Sequence, residues 1–205
     1  MLGKIELTEG GFSLKKKYKH ILVDIDNTLT TLQPTLDSMA TYLNARNITE
    51  DDVLSFRLID NFNVDNRNLE QSFWRDEEEE NSRLAELAQD RVKTFYKNYV
   101  SEDTKIHIVT ARKDHLFDVT ERWLKESGLA YDTFHCIGAQ CKLDWLDKHM
   151  PEIDAILEDN PFIFRKAYEK GYDKKIDFFK VEYKYNYHCP SHFSLDKETG
   201  NEVIH

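Results

Sequence analysis

Asp24 and Asp26 stand two residues apart in ILVDIDNTLT, residues 21–30. In an extended chain that spacing sends both side chains to the same side. Two carboxylates there repel, and burying them unpaired costs several kcal/mol. A cation must compensate. Mg²⁺ suits the position because it is hard, oxygen-seeking and often held by only one or two carboxylates. Thr28 adds a hydroxyl just beyond. Asp and Asn also favour turns, so an Asp-rich turn is the plainer alternative for the stretch alone.

More polar residues follow apolar runs. Thr110, Ala111 and Arg112 follow IHIV, residues 106–109, and Glu158 and Asp159 follow AIL, residues 155–157. Lys142 and Lys148 lie on a segment with helical spacing. In an open parallel sheet, ligands bind beyond the carboxyl ends of the strands. Asp24, Asp26, Thr110, Glu158 and Asp159 then share one rim. A helix leaving that rim carries Lys142 in its first turn and Lys148 about 9 Å further on, at about 1.5 Å per residue. Lys142 is therefore the cation expected to meet an anionic substrate.

The elements that must position these groups follow from periodicity. Residues 20–24 read as a buried strand. KIEL and FSL, around Glu9-Gly10-Gly11, read as an accessory hairpin, and Lys15 to Lys17 as a solvated edge. Pro34 opens a helix carrying Leu36, Met39, Ala40 and Leu43. Thr49 and Asp52 resemble a capping box, leading into a helix with Val53, Phe56 and Leu58. Residues 61–68 form a loop, and Leu69, Phe73 and Trp74 open another helix. Leu84 to Tyr96 make an amphipathic helix. The acidic run 76–80 is read as a solvated face turned away from any phosphate. Then strands 106–109, 133–137, 155–157 and 176–180 alternate with helices 114–127, 143–149 and 162–170, with Gly128 and Gly171 as stops. Alternation of this kind implies an α/β, doubly wound parallel sheet. His107 is read as a core histidine.

Composition narrows the function. The chain has 205 residues and a formal net charge of −10. That balance disfavours extended nucleic acid, which rewards a basic face. It leaves room for a small phosphorylated substrate, since a metal inverts the local field. No run approaches the ~18–20 apolar residues of a membrane span. The N-terminus lacks the apolar core of a signal peptide. The cysteines, Cys136, Cys141 and Cys189, fit no disulfide framework, so a reduced, cytoplasmic setting is expected. His135, Cys136 and Cys141 have ligand types that could meet His188, Cys189 and His192 at zinc, but their spacing matches no standard finger. Loop and packing roles are the expectation for these six.

Asp24-Ile25-Asp26-Asn27-Thr28 resembles the DxDxT signature of haloacid dehalogenase-superfamily phosphatases. VTAR, Lys142 and ILEDNP follow in the order of that superfamily's other motifs, over roughly residues 19–180. VTAR, the WL–G helix and EDNP are most similar to its 5′(3′)-deoxyribonucleotidase-like group. Glu158 departs from the Asp of many relatives. The resemblance implies a Rossmann-like core over residues 1–31 and 101–205, with a small α-helical cap, residues 32–100, inserted after the first core strand. It implies an Mg²⁺-dependent phosphomonoesterase acting on a nucleotide-like phosphate. Asp24 would be the nucleophile and Asp26 the general acid and base. Mg²⁺ would bind the Asp24 carboxylate, the Asp26 backbone carbonyl and the Glu158–Asp159 pair, of which the direct ligand is left open. Thr110 and Lys142 would hold phosphoryl oxygens. Arg112 would reach phosphate or brace the acidic pair. Within the cap, Phe56, Phe73, Trp74 and Tyr96 are candidates to stack on a base, with Trp74 favoured, and Arg57, Asn61 and Asn63 are available for polar contacts. The alternatives are a sugar-phosphate phosphatase, a polynucleotide 3′-phosphatase, and a binding protein that kept the fold and lost the chemistry.

Overall fold

The computed structural model describes residues 16–64, 68–150 and 152–203. The expected hairpin near the N-terminus lies outside these residues. Six strands form one parallel sheet: β1 (His20–Val23), β2 (Lys105–Thr110), β3 (Thr133–Cys136), β4 (Ala155–Glu158), β5 (Asp177–Glu182) and β6 (Phe193–Asp196). Their spatial order is β3-β2-β1-β4-β5-β6. The order reverses direction between β1 and β4, and a crevice opens beyond the carboxyl ends of strands at such a point.

The sheet is covered on both faces. In β1, Ile21 and Val23 join one apolar cluster and Leu22 the other, the period of two that a strand imposes. The first cluster takes Leu36 and Met39 of α1 (Gln33–Leu43), Val92 and Phe95 of α4 (Gln89–Tyr99), and Trp123 and Leu124 of α5 (Phe117–Glu126). The second takes Leu143 and Leu146 of α6 (Lys142–His149), with Ile163 and Phe164 of α7 (Pro161–Glu169). The fold is a doubly wound α/β sheet.

Between β1 and β2 lie α1, α2 (Asn68–Asp76), α3 (Glu78–Leu84) and α4. Glu50 closes the first turn of α1, its Oε1 accepting from the backbone N–H groups of Leu32 and Gln33. Three expectations here are corrected. Residues 53–58 form no α-helix, because Asn61 takes over their backbone groups. Its Oδ1 accepts from Leu54 and Ser55, and its Nδ2 donates to Ser55 and Leu58 carbonyls. Asn61 is thereby spent on its own loop. The helix read from Leu84 begins only at Gln89. Before it, Leu87 bridges Thr30 and the Ala88 N–H donates to the Leu29 carbonyl, so these residues tie the return crossing to the outgoing one. Glu78, expected to face solvent, pairs with Lys113 and turns inward.

Arg91 fastens this crossing. It is 1% exposed and donates to the carbonyls of Thr30 and Lys197 and to the Tyr183 hydroxyl. Strand β6, not foreseen from the sequence, extends the sheet beyond β5. Lys16 and Lys17 are exposed, as a solvated edge implies. Lys16 pairs with Asp177, and Lys17 donates to carbonyls at the end of α4. Among the described residues, no helix is long and apolar enough to cross a membrane.

Candidate active site

The turn after β1 is set by local chemistry. Asn27 adopts a left-handed conformation, φ 60°, which Asn tolerates better than most residues. The Thr30 hydroxyl donates to the Ile25 carbonyl and accepts from the Asn27 N–H. The turn leaves Asp24 buried at the strand end and Asp26 at the surface, its side chain 52% exposed. The two carboxylates therefore have different environments.

Lys142 is buried at the start of α6. Its Nζ lies 2.6 Å from Asp24 Oδ1 and 2.5 Å from Glu158 Oε2. Burial opposes the ammonium charge, but Asp24 and Glu158 outweigh it and raise the Lys142 pKa. Lys148, one helical stretch further on, is exposed. Glu158 is fully engaged: Oε2 takes Lys142, and Oε1 accepts from the backbone N–H groups of Asp159 and Asn160. Asp159 Oδ2 accepts from the Tyr185 hydroxyl at 2.5 Å and from Asn27 at 3.4 Å, and Oδ1 accepts from Thr28 at 3.4 Å.

One carboxylate oxygen each from Asp24, Glu158 and Asp159 lie within 4.8 Å of one another. Burial, then Glu158, push the Asp24 pKa up to about 7 against the pull of Lys142. Burial, with Glu158 and Asp24, raises Asp159 well above the usual carboxylate range. Three buried carboxylates facing one ammonium leave a formal charge of −2. Oxygen donors around that charge fit a hard divalent ion such as Mg²⁺. The Cys and His residues weighed as a zinc site form no such group among the described residues. The His192 ring nitrogen accepts from the Phe178 N–H, and Cys189 Sγ faces the Pro161 carbonyl.

Arg112 pairs with Asp26 and not with the acidic pair. Its Nε and terminal nitrogen grip both oxygens of Asp26, at 3.0 and 2.5 Å, and its other terminal nitrogen donates to Thr120. It holds the candidate acid in place and does not brace the acidic pair. The Thr110 hydroxyl accepts from the Arg112 N–H, which leaves its own proton to donate.

Two chambers meet here. One of about 350 Å³ is lined by Asp24, Thr110, Gln140, Lys142, Glu158 and Asp159. A second of about 520 Å³ is lined by Arg57, Glu70, Trp74, Glu78, Asn81 and Arg112. Asp26, Phe56 and Phe162 border both. Of the aromatic candidates, Phe56 and Trp74 line the second chamber, whereas Phe73 is wholly buried in the core. Tyr96 donates its hydroxyl to the Ala130 carbonyl instead.

No family model matches the chain. It is 28% identical over 145 residues to "Putative nucleotidase YqfW" of Bacillus subtilis, covering 67% of this chain and 68% of that one. It is 26% identical over 149 residues to "Putative nucleotidase BH1399" of Halalkalibacterium halodurans, covering 70% and 71%. A solved "putative phosphoglycolate phosphatase" of Lactobacillus plantarum superposes with a TM-score of 0.56 at 15% identity, over 89% of this chain and 97% of that one. A "HAD-superfamily hydrolase, subfamily IA, variant 1" of Geobacter sulfurreducens gives 0.52 at 12%, over 87% and 95%. The chain is thus similar in sequence to two proteins named as nucleotidases, and in fold to phosphatase and hydrolase structures of the haloacid dehalogenase type.

Sequence reasoning missed three residues of this candidate site. Phe162 is 60% exposed beside both chambers, and Tyr185 and Asn186 reach Asp159. Each had a signal. Phe162 lies three positions after Asp159, in the first turn of a helix that leaves the catalytic rim. Tyr185 and Asn186 follow β5, the strand beside β4.

Proposed function

We propose that this protein is an Mg²⁺-dependent phosphomonoesterase that hydrolyses a nucleotide-like phosphate. The supporting observation is a buried Asp24 beside Lys142 and Thr110, in a small chamber that opens into a larger one partly walled by aromatic rings. The phosphoryl group enters the small chamber. Lys142 and Thr110 donate to its oxygens. Asp24 Oδ1 is engaged by Lys142, so Oδ2 is the oxygen that attacks phosphorus. An aspartyl-phosphate forms and the ester oxygen leaves, splitting one hard displacement into two. Asp26, oriented by Arg112 at the mouth between the chambers, protonates the leaving oxygen. It then takes a proton from the water that attacks the aspartyl-phosphate, releasing phosphate and restoring Asp24.

Asp24 and Asp159 would hold Mg²⁺: both oxygens of Glu158 take short hydrogen bonds, whereas Asp159 Oδ1 meets only Thr28, at 3.4 Å. When bound, the ion neutralises phosphate charge and aligns the in-line attack. Residues 32–100 act as a cap over the core formed by 1–31 and 101–205, because the second chamber takes much of its wall from that insertion. A base stacks on Trp74 or Phe56 there, and the names of the two nucleotidase relatives favour this leaving group. A sugar phosphate is the second reading. Glu70, Glu78 and Asn81 offer it hydrogen-bonding groups.

The test is turnover of nucleoside 5′- and 3′-monophosphates, sugar phosphates and p-nitrophenyl phosphate with Mg²⁺ or with EDTA. Nucleotides should give the highest kcat/KM, and EDTA should abolish every activity. Undiminished turnover in EDTA overturns the metal, and preference for sugar phosphates overturns the nucleotide. Trp74→Ala should lower kcat/KM about tenfold on the best nucleotide, the loss of ~1.4 kcal/mol of stacking, and leave p-nitrophenyl phosphate unchanged. Equal losses on both substrates would make Trp74 a structural residue.

A further inference from the structure

We propose that Tyr185 is a positioning residue for the metal site, fixing one oxygen of Asp159 so that the other faces the ion. The proposal rests on the Mg²⁺ reading of Asp24 and Asp159 above.

Asp159 is almost wholly buried, yet Asn27 and Thr28 reach it only at 3.4 Å. The Tyr185 hydroxyl, at 2.5 Å, is its one short side-chain donor among the described residues. Two weak donors alone leave a carboxylate free to swivel about its last bond. Mg²⁺ accepts little departure from octahedral geometry, so a swivelling ligand costs affinity. Partners of this kind are worth about 10–100-fold in metal affinity elsewhere.

The segment that carries Tyr185 is built to hold it still. Asn186 Nδ2 donates to the Asp159 carbonyl at 2.7 Å and to the Val181 carbonyl at 2.8 Å, and its Oδ1 accepts from the Tyr183 N–H at 2.9 Å. The loop is thus bound to the main chain of the residue whose side chain Tyr185 holds. The Tyr185 ring lies parallel to Tyr183, 5.1 Å between centroids and 6° between planes, and meets the edge of Phe56. The Tyr183 hydroxyl donates to the Asn27 carbonyl, so the same loop also steadies Asn27, another donor to Asp159.

Tyr185→Phe removes one oxygen and keeps the packed ring. Mg²⁺ binding to the whole protein is measured by calorimetry without substrate, and melting is followed in EDTA. Tyr172→Phe is the control. It loses a hydroxyl bond to Asp147 on the far side of the molecule. Tyr185→Phe should weaken the Kd for Mg²⁺ about 10–100-fold with the EDTA melting temperature unchanged. Tyr172→Phe should bind as the wild type does. At saturating Mg²⁺, the KM for p-nitrophenyl phosphate should stay the same. Equal Kd values for Tyr185→Phe and wild type overturn the proposal and leave the metal reading standing. Weaker binding with a collapsed melting transition in EDTA also overturns it, since Tyr185 is then structural. A wild type that binds no Mg²⁺ overturns both readings.

Discussion

Asp24→Asn is expected to lose turnover by about 10⁴-fold or more, as enzymes do when a group that acts as part of a unit is removed. Asn has nearly the same shape and keeps a carbonyl oxygen for Lys142, but it forms no acyl phosphate. The same substitution should raise the melting temperature in EDTA at pH 8. The native site pushes the Asp24 pKa to about 7, through burial and then Glu158, against 3.8 for an unperturbed side chain. A carboxyl whose folded pKa is raised favours the fold fully below the unfolded value. That advantage is lost as pH climbs through the folded value. At pH 8 the wild type holds the ionised form at a cost, and the amide removes it. Thermal melts at pH 8 and pH 4 check the sign, since the gain should shrink at pH 4. A variant that keeps a substantial fraction of turnover would show that Asp24 is not the nucleophile.

Lys142→Met is expected to be the most destabilising single change in the site. It leaves Asp24 and Glu158 buried without their ammonium partner, and unpairing a buried charge costs about 3–5 kcal/mol. Urea unfolding in EDTA should show that loss. Mg²⁺ should return part of it, because an ion that binds only the native state stabilises it by mass action. The midpoint shift on adding Mg²⁺ should therefore be larger in the variant than in the wild type. Turnover should stay low at saturating Mg²⁺, because the hydrogen-bond donor proposed for the phosphoryl oxygens is gone. A variant as stable as the wild type in EDTA would mean that Lys142 contributes little to balancing these charges.

What could be read from the sequence depended on whether the signal was local. Ile21 to Val23 form a short apolar run before two acids, and a strand followed by a polar rim is visible in that alone. Lys142 could be chosen over Lys148 because helix geometry fixes how far each lies from the rim, and the fold buries Lys142 and exposes Lys148. The Arg112–Asp26 grip was hidden because the partners are 86 positions apart and neither strand pattern nor motif order encodes a side-chain pairing. Residues 53–58 misled for another reason. Their apolar spacing is helical, but the Asn61 side chain supplies the backbone partners that a helix would otherwise provide. Strand β6 was concealed by its length, four residues at the sheet edge with a polar residue at every other position.

The buried Arg91 also sets an order of events during synthesis. Its guanidinium joins Thr30, where the insertion leaves the core, to Lys197, which follows Arg91 by 106 positions. At ribosomal rates of about 5–20 residues per second, Lys197 is added roughly 5–20 s after Arg91. Throughout that interval a growing chain can hold the Thr30 carbonyl but has no Lys197 carbonyl, and it gains the Tyr183 hydroxyl only 92 positions after Arg91. The insertion is therefore secured late, after the strands that flank the candidate nucleophile have already been made.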